Sequence, residues 1–347
     1  MIVGVWGRQG KVLKNGQIFK NPNLGINENS TMKFNKLYNF AIDNSLELVT
    51  LDQIDYRQAD CFLFLDFPIR KTIIKKIVNT GKKIFLIMDE PAVVTGIERH
   101  ISEYDIFEKV FTWSDDFVSF NEKFIKINAH SFLVDMKIDN SFSKKDGFLT
   151  QICQNTNSTH KQALYGERLK VSKWYEKNFP ELYDLYGFRW DEYRFPINNN
   201  SLRYFNTRKL KFFRRLFASY RPSWRGEVPI KREILAKYKF AIAFDNAKEL
   251  NGYILEKIFA VFEAGTVPIY FGAPNISKHI PKECYIDYSS YSSIGEMHEH
   301  LYNMNDNEYL GYLNNIQDFF DSESLYQFSG DYFNSTIVRE IKLSMQK

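Results

Sequence analysis

Two short runs, Cys61-Phe-Leu-Phe-Leu-Asp66 and Lys83-Ile-Phe-Leu-Ile-Met88, are apolar at every position between their ends. A strand with one wet face alternates apolar and polar residues. A strand apolar throughout needs cover on both faces, which is the setting of a parallel sheet. Between the two runs, the stretch from Arg70 to about Thr80 places Ile73, Ile74 and Ile77 on one helical face and stops at Gly81. Val110-Phe-Thr-Trp113 reads as a further strand. The spacing predicts an α/β fold in which helices cover both faces of parallel strands.

The alternation resumes near Phe148, after the polar stretch Asp139 to Gly147, which reads as a linker. Its clearest part is the strand Tyr238-Lys-Phe-Ala-Ile-Ala-Phe244, a polar loop, a helix from about Tyr253 to Ala264, and the strand Thr266-Val-Pro-Ile-Tyr270. Gly265 stands at the helix exit, as a βαβ unit requires. The expected organisation is two doubly wound domains with a cleft between them, residues 1–146 and 147–330, followed by a helical tail over 331–347. A chain of 347 residues is long enough for both. With 44% hydrophobic and 25% charged residues, extensive disorder is excluded.

Three isolated cysteines, Cys61, Cys153 and Cys284, form no CxxC pair and no disulfide framework, so a reducing compartment is expected. The first residues lack the apolar run of a signal peptide, and no stretch of about 18 apolar residues occurs. The expectation is a cytoplasmic protein, at most peripheral on the inner face of a membrane. The net charge of +4 suits an anionic small substrate or weak attraction to an anionic membrane, and does not by itself imply nucleic acid. One segment, Phe195 to Trp224, is rich in basic and aromatic residues and includes Arg208-Lys-Leu-Lys-Phe-Phe-Arg-Arg215. Residues 208–217 read as a basic amphipathic helix, open to three uses. Its apolar face packs on the domain, it docks on an anionic membrane, or it binds nucleic acid; no nucleic-acid module accompanies it, so no nucleic acid is expected.

Three places carry candidate chemistry. The loop after Phe244 lies at the carboxyl end of a strand, where open α/β sheets bind ligands. On the following helix Tyr253, Glu256 and Lys257 fall at i, i+3 and i+4, with Ala260 and Ala264 continuing the stripe. A carboxylate, an ammonium and a phenol at a helix start suit a nucleotide sugar, and an amphipathic surface helix with an ordinary charge pair fits the same spacing. Glu90, just past a buried strand in Met88-Asp89-Glu90-Pro91, is placed to act as a general base, with Asp89 as its competitor and a strand-end acid as the plain alternative. Arg168, near a predicted helix start in Tyr165-Gly-Glu-Arg-Leu169, can clamp a diphosphate. Phosphate-loop, dinucleotide, zinc-protease and serine-hydrolase motifs are missing, as is any Asp-x-Asp triplet that would clamp a metal on a diphosphate. His298-Glu-His300 reads as a solvated helix face.

Taken together, Tyr238-Lys-Phe-Ala-Ile-Ala-Phe-Asp-Asn-Ala247, Gly252-Tyr-Ile-Leu-Glu-Lys257 and Val267-Pro-Ile-Tyr-Phe-Gly272 resemble the donor signature of the α-1,3/4-fucosyltransferases of glycosyltransferase family 10. Ala273-Pro-Asn-Ile276 and His279-Ile-Pro281 continue the likeness, which is looser over 148–190 and faint before residue 80. The resemblance implies a GT-B architecture of two Rossmann-like domains, acceptor side first and GDP-sugar side second. It implies that Glu256 binds fucose hydroxyls and that Tyr253, Lys257 and Arg168 hold the diphosphate. Asn246 and Asn155 would position the nucleotide, and Glu90 would be the catalytic base. GDP-fucose is then a co-substrate, no metal is required, and the acceptor is an oligosaccharide or glycolipid. Asp245 stands where the family has Glu, and Leu255 where it has Thr or Ser. These departures leave open another GDP-sugar or acceptor on the same fold. A rival of a different class is a non-catalytic binder of membrane or nucleic acid acting through 208–217.

Overall fold

The computed structural model describes all residues except 8–13, 22–31, 69–70, 97–98, 129–144, 198 and 347. The chain divides into two compact units: residues 1–91, 98–134 and 325–347 form one, and residues 92–97 and 135–324 the other. The expected linker falls mostly on residues outside the described set.

In the first unit, β1 (Ile2–Gly7), β2 (Glu47–Thr50), β3 (Cys61–Leu65), β4 (Ile84–Met88), β5 (Lys109–Thr112) and β6 (Phe124–Lys126) form a sheet in the order β2-β1-β3-β4-β5-β6. Every neighbouring pair is parallel. The two fully apolar runs are β3 and β4 at the centre, buried at every residue. Helix Met32–Asp43 lays Phe34, Leu37 and Ala41 on one face of this sheet, against Val3, Val5, Leu63 and Phe85. The last helix, Gly330–Gln346, joins the same core through Phe333, Ile337, Val338 and Ile341. The segment read as a tail is therefore helical and built into the first unit. Lys83 Nζ donates to the Ser344 carbonyl at 2.5 Å, and Tyr332 Oη donates to the Lys126 carbonyl at 3.2 Å.

In the second unit, β7 (Gly147–Ile152), β8 (Tyr183–Tyr186), β9 (Tyr238–Phe244), β10 (Val267–Phe271) and β11 (Ile286–Asp287) form a parallel sheet in the order β11-β10-β9-β7-β8. Helix Glu256–Glu263 crosses from β9 to β10, with Ile258, Phe259, Val261 and Phe262 buried. It ends at Gly265, whose φ of 60° lets its N–H reach the Phe262 carbonyl at 2.8 Å. Gly187, just past β8, has φ 118°, and a Cβ there would lie 2.1 Å from the Cys153 carbonyl oxygen. Only glycine fits, and the loops after β7 and β8 run side by side because of it.

Two expectations are corrected. Residues 208–217 are not an amphipathic helix: a 3-10 turn, Arg208–Leu210, leads into a helix of six residues, Lys211–Leu216. Its Phe212, Phe213 and Leu216 are exposed, with Phe217 just beyond, while its one buried residue is Arg214. His298 is not solvated. It is buried on helix Ile294–Asn303, with its ring stacked 3.9 Å from that of Phe179.

Since Ile341 is 1% exposed and packs far from β1–β5 in sequence, Ile341→Ala should destabilise the first unit by about 2–5 kcal/mol. Chemical denaturation checks this; a loss below about 0.5 kcal/mol would mean that the helix is not part of the cooperative core.

Candidate donor-binding site

The site grows from the carboxyl end of β9. Strand residues Phe240 to Phe244 are buried, so the chain reaches the sheet edge as a rigid rod and its next side chain, Asp245, is fully enclosed. Asp245 accepts a hydrogen bond from Tyr270 Oη at 2.6 Å and from the Leu255 N–H at 3.2 Å. The Tyr270 hydroxyl in turn accepts from the Ala273 N–H at 2.8 Å. A Cβ on Gly272 would stand 2.4 Å from Tyr270 Oη and 2.5 Å from Asp245 Oδ2, so that position admits no side chain. One carboxyl thus ties together the ends of β9 and β10 and the residue before the helix.

Burial pushes the Asp245 carboxyl up to about 7, although Lys257, the Tyr270 hydroxyl and Arg168 all pull the other way.

The next residue is the junction. Asn246 Oδ1 accepts from Arg168 Nη2 at 3.1 Å and from Lys257 Nζ at 3.2 Å. Arg168 is buried on helix Tyr165–Asn178, and its Nη2 also donates to the carbonyls of Phe244 at 2.7 Å and Asp245 at 2.6 Å. The guanidinium therefore caps the end of β9. Burial and the neighbouring Arg168 lower the affinity of Lys257 for its proton, with Glu256 opposing them. Two cations meet on a neutral amide oxygen, with the carboxyl groups of Glu256 and Asp245 close enough to act on Lys257.

The structure brings together Arg168, Asn246 and Lys257, with Glu256 in the first helical turn beside Lys257. Tyr253 does not share their helical face. The helix begins at Glu256, three residues later than the periodicity suggests, because Leu255 is extended and Gly252 takes φ 79° while its N–H bonds Asn275 Oδ1 at 2.8 Å. Tyr253 is completely buried instead. Asn155, in the loop after β7, spends its side-chain N–H groups on the carbonyls of Arg189 at 3.0 Å and Glu192 at 2.8 Å. Glu90 lies in the first unit, half-buried after β4. Its neighbour Asp89 forms an ion pair with the buried Lys33 and is engaged structurally.

A cavity of about 280 Å³ adjoins Arg168, lined also by Asn155, Trp190, Tyr193, Arg194 and Arg221. The sequence reading missed the 190–194 side of it. The same rule that picked the loop after β9 applied there too, since this loop follows the carboxyl end of β8. Glu192, buried in the cavity wall, accepts from Arg214 Nε at 3.0 Å and Nη2 at 2.5 Å and from Arg194 Nη1 at 3.4 Å. Burial, then Arg189 and Arg214, lower Arg194 to about 10.

All-parallel sheets in two α/β units are the arrangement of the GT-B fold class, and solved structures agree with that fold. The crystal structure of an α1,3-fucosyltransferase superposes with a TM-score of 0.57 at 14% identity, covering 100% of this chain and 90% of that one. T4 phage β-glucosyltransferase with its UDP-glucose substrate gives 0.54 at 11% identity, with 100% of both chains covered. Residues 216–333 match the family model for glycosyltransferase family 10 (fucosyltransferase), C-terminal part. This stretch is therefore similar to the family 10 C-terminal part, and it contains the donor signature. An Arabidopsis thaliana alpha-(1,4)-fucosyltransferase is 35% identical over 72 residues, 21% of this chain and 18% of that protein. The Helicobacter pylori alpha-(1,3)-fucosyltransferase FucT is 30% identical over 71 residues, 20% and 15% respectively. The Xenopus tropicalis GDP-fucose protein O-fucosyltransferase 3 is 50% identical over 48 residues, 14% and 10%. The matched segments thus span less than a fifth of these relatives.

Because the folded Asp245 holds its proton more tightly than an unfolded aspartate, near 3.8, its contribution to stability is full below that value and is lost as pH rises through about 7. Asp245→Asn keeps an acceptor for Tyr270 and should remove that downward slope. Urea titrations across this pH range test it; an unchanged slope would show that Asp245 does not titrate there.

Proposed function

We propose that the protein is an inverting fucosyltransferase that moves L-fucose from GDP-fucose to a sugar hydroxyl, O3 of N-acetylglucosamine in an oligosaccharide or glycolipid. The observation that carries this reading is the convergence of Arg168 and Lys257 on Asn246 at the end of β9, within a family 10 signature. A neighbouring solved structure of an α1,3-fucosyltransferase holds GDP-fucose, which supports the choice of donor.

In the proposed step, Glu90 takes the acceptor proton as the hydroxyl attacks the anomeric carbon, which gains oxocarbenium character. The bond to the β-phosphate oxygen breaks on the opposite face. Arg168 and Lys257 meet the charge that builds on the departing GDP, so cationic side chains do the work that a metal does in other transferases. Glu256 accepts hydrogen bonds from the fucose hydroxyls and Asn246 positions the nucleotide, while Asn155 and the buried Tyr253 act only by holding the loops around them. With Leu255 buried where a hydroxyl would stand in the family pattern, a second GDP-sugar is the reading to test alongside fucose. The reaction draws on a cytoplasmic pool of activated sugar.

GDP-fucose and an N-acetyllactosamine acceptor, without added metal, should give a product heavier by one deoxyhexose. Glu90→Gln should lower the rate by about 10²–10⁴-fold while GDP binding, read by calorimetry, is kept. Retained activity would remove Glu90 from the base role, and failure to bind GDP would overturn the donor assignment.

Lys257→Ala should weaken GDP binding by at least about tenfold, one charge-assisted contact to phosphate. Unchanged affinity in a GDP titration would separate Lys257 from the diphosphate.

A further inference from the structure

The segment on the far side of Glu192 inverts the usual arrangement of a soluble protein. Arg214 is buried, with its guanidinium on Glu192 and on the carbonyls of Phe205 and Thr207, both at 2.7 Å. The rings around it face outward. Phe212 is 77% exposed, Phe217 61% and Tyr220 87%, and Phe213 and Leu216 are as open. A salt bridge within the wall of the donor cavity pins the backbone, and the apolar side chains of the same short helix are left in water.

Charge accompanies the rings. Between Glu192 and Glu227 the chain has nine Lys and Arg residues and no Asp or Glu. Lys209 and Lys211 are exposed beside Phe212, and Arg215 is exposed while paired with Asp191. Phe213 and Phe217 lie with ring centroids 5.4 Å apart, so the apolar area is continuous.

We infer that this basic, aromatic segment docks the protein on an anionic lipid surface. Exposed aromatic and leucine side chains on and beside a six-residue helix suit insertion into the boundary between headgroups and acyl chains. The exposed Lys209 and Lys211 then meet lipid phosphates. Charge also selects the occupant. A second copy offering the same patch would set the exposed Lys209, Lys211 and Arg215 against their own kind, whereas an anionic bilayer complements them. Exposed rings beside cations are also compatible with stacking of single-stranded bases, which the experiment separates.

The full chain is sedimented with phosphatidylcholine vesicles, with and without phosphatidylglycerol, in the absence of any donor, so the result is independent of the transferase reading. Binding should require phosphatidylglycerol and fall as salt is raised. It should drop by at least about tenfold in the double variant Phe212→Ser, Phe217→Ser, because the rings supply the apolar part of the affinity. If that variant does not fold, Lys209→Glu with Lys211→Glu gives the decision and should lose binding to the same degree. The proposal is overturned by binding that ignores phosphatidylglycerol, by no binding, by variants that bind like the parent, or by a short single-stranded oligonucleotide that binds more tightly than the vesicles.

Discussion

The carboxyl group of Asp245 is enclosed on all sides and held between the Tyr270 hydroxyl and the Leu255 N–H. Three things hang from this contact. It sets where the chain leaves β9, where β10 ends, and where helix Glu256–Glu263 starts. Asn246 follows directly, so the meeting point of Arg168 and Lys257 is fixed to within the slack of one buried hydrogen-bonded acid. Burying a carboxyl is costly in an apolar interior, and here much of that cost is avoided by letting the group hold its proton. A glutamate would carry its carboxyl one methylene further, against the space that Gly272 keeps clear.

Much of this was legible in the sequence, for physical reasons. Strands β3, β4 and β9 are apolar on both faces, a pattern that only a covered parallel sheet supports. Strand ends point to ligand sites by topology alone, which is why the loop after Phe244 stands out in the sequence, with Lys257 marked by helical spacing and Asn246 by the family resemblance. The start of the following helix could not, because periodicity reports which residues would share a face, not which backbone turn comes first. Tyr253 falls just outside, in a loop bent by Gly252, and is buried where an exposed ligand-facing phenol was expected.

The basic segment misled for another reason. A run of alternating basic and aromatic residues invites the assumption that rings go in and charges go out. That assumption fails when a charge finds a buried partner, and Glu192 lies 22 residues before Arg214. His298 fails in the same direction, since an imidazole can stack on Phe179 as readily as it can face water. Long-range pairs of this kind decide burial and leave no periodic trace.

Helix Gly330–Gln346 has a consequence for the order in which the molecule is made. The strands β1 to β6 leave the ribosome early, yet the helix that covers part of their core follows the whole of the second unit. At common rates of synthesis that gap lasts roughly ten to forty seconds. During it the partners of Phe333, Ile337 and Ile341 in that core, helix Met32–Asp43 among them, stay partly uncovered, while the second unit has all its strands and can close first. The amino-terminal half of this chain is thus the later of the two to finish, and the interval before it does is when a holding chaperone would matter most.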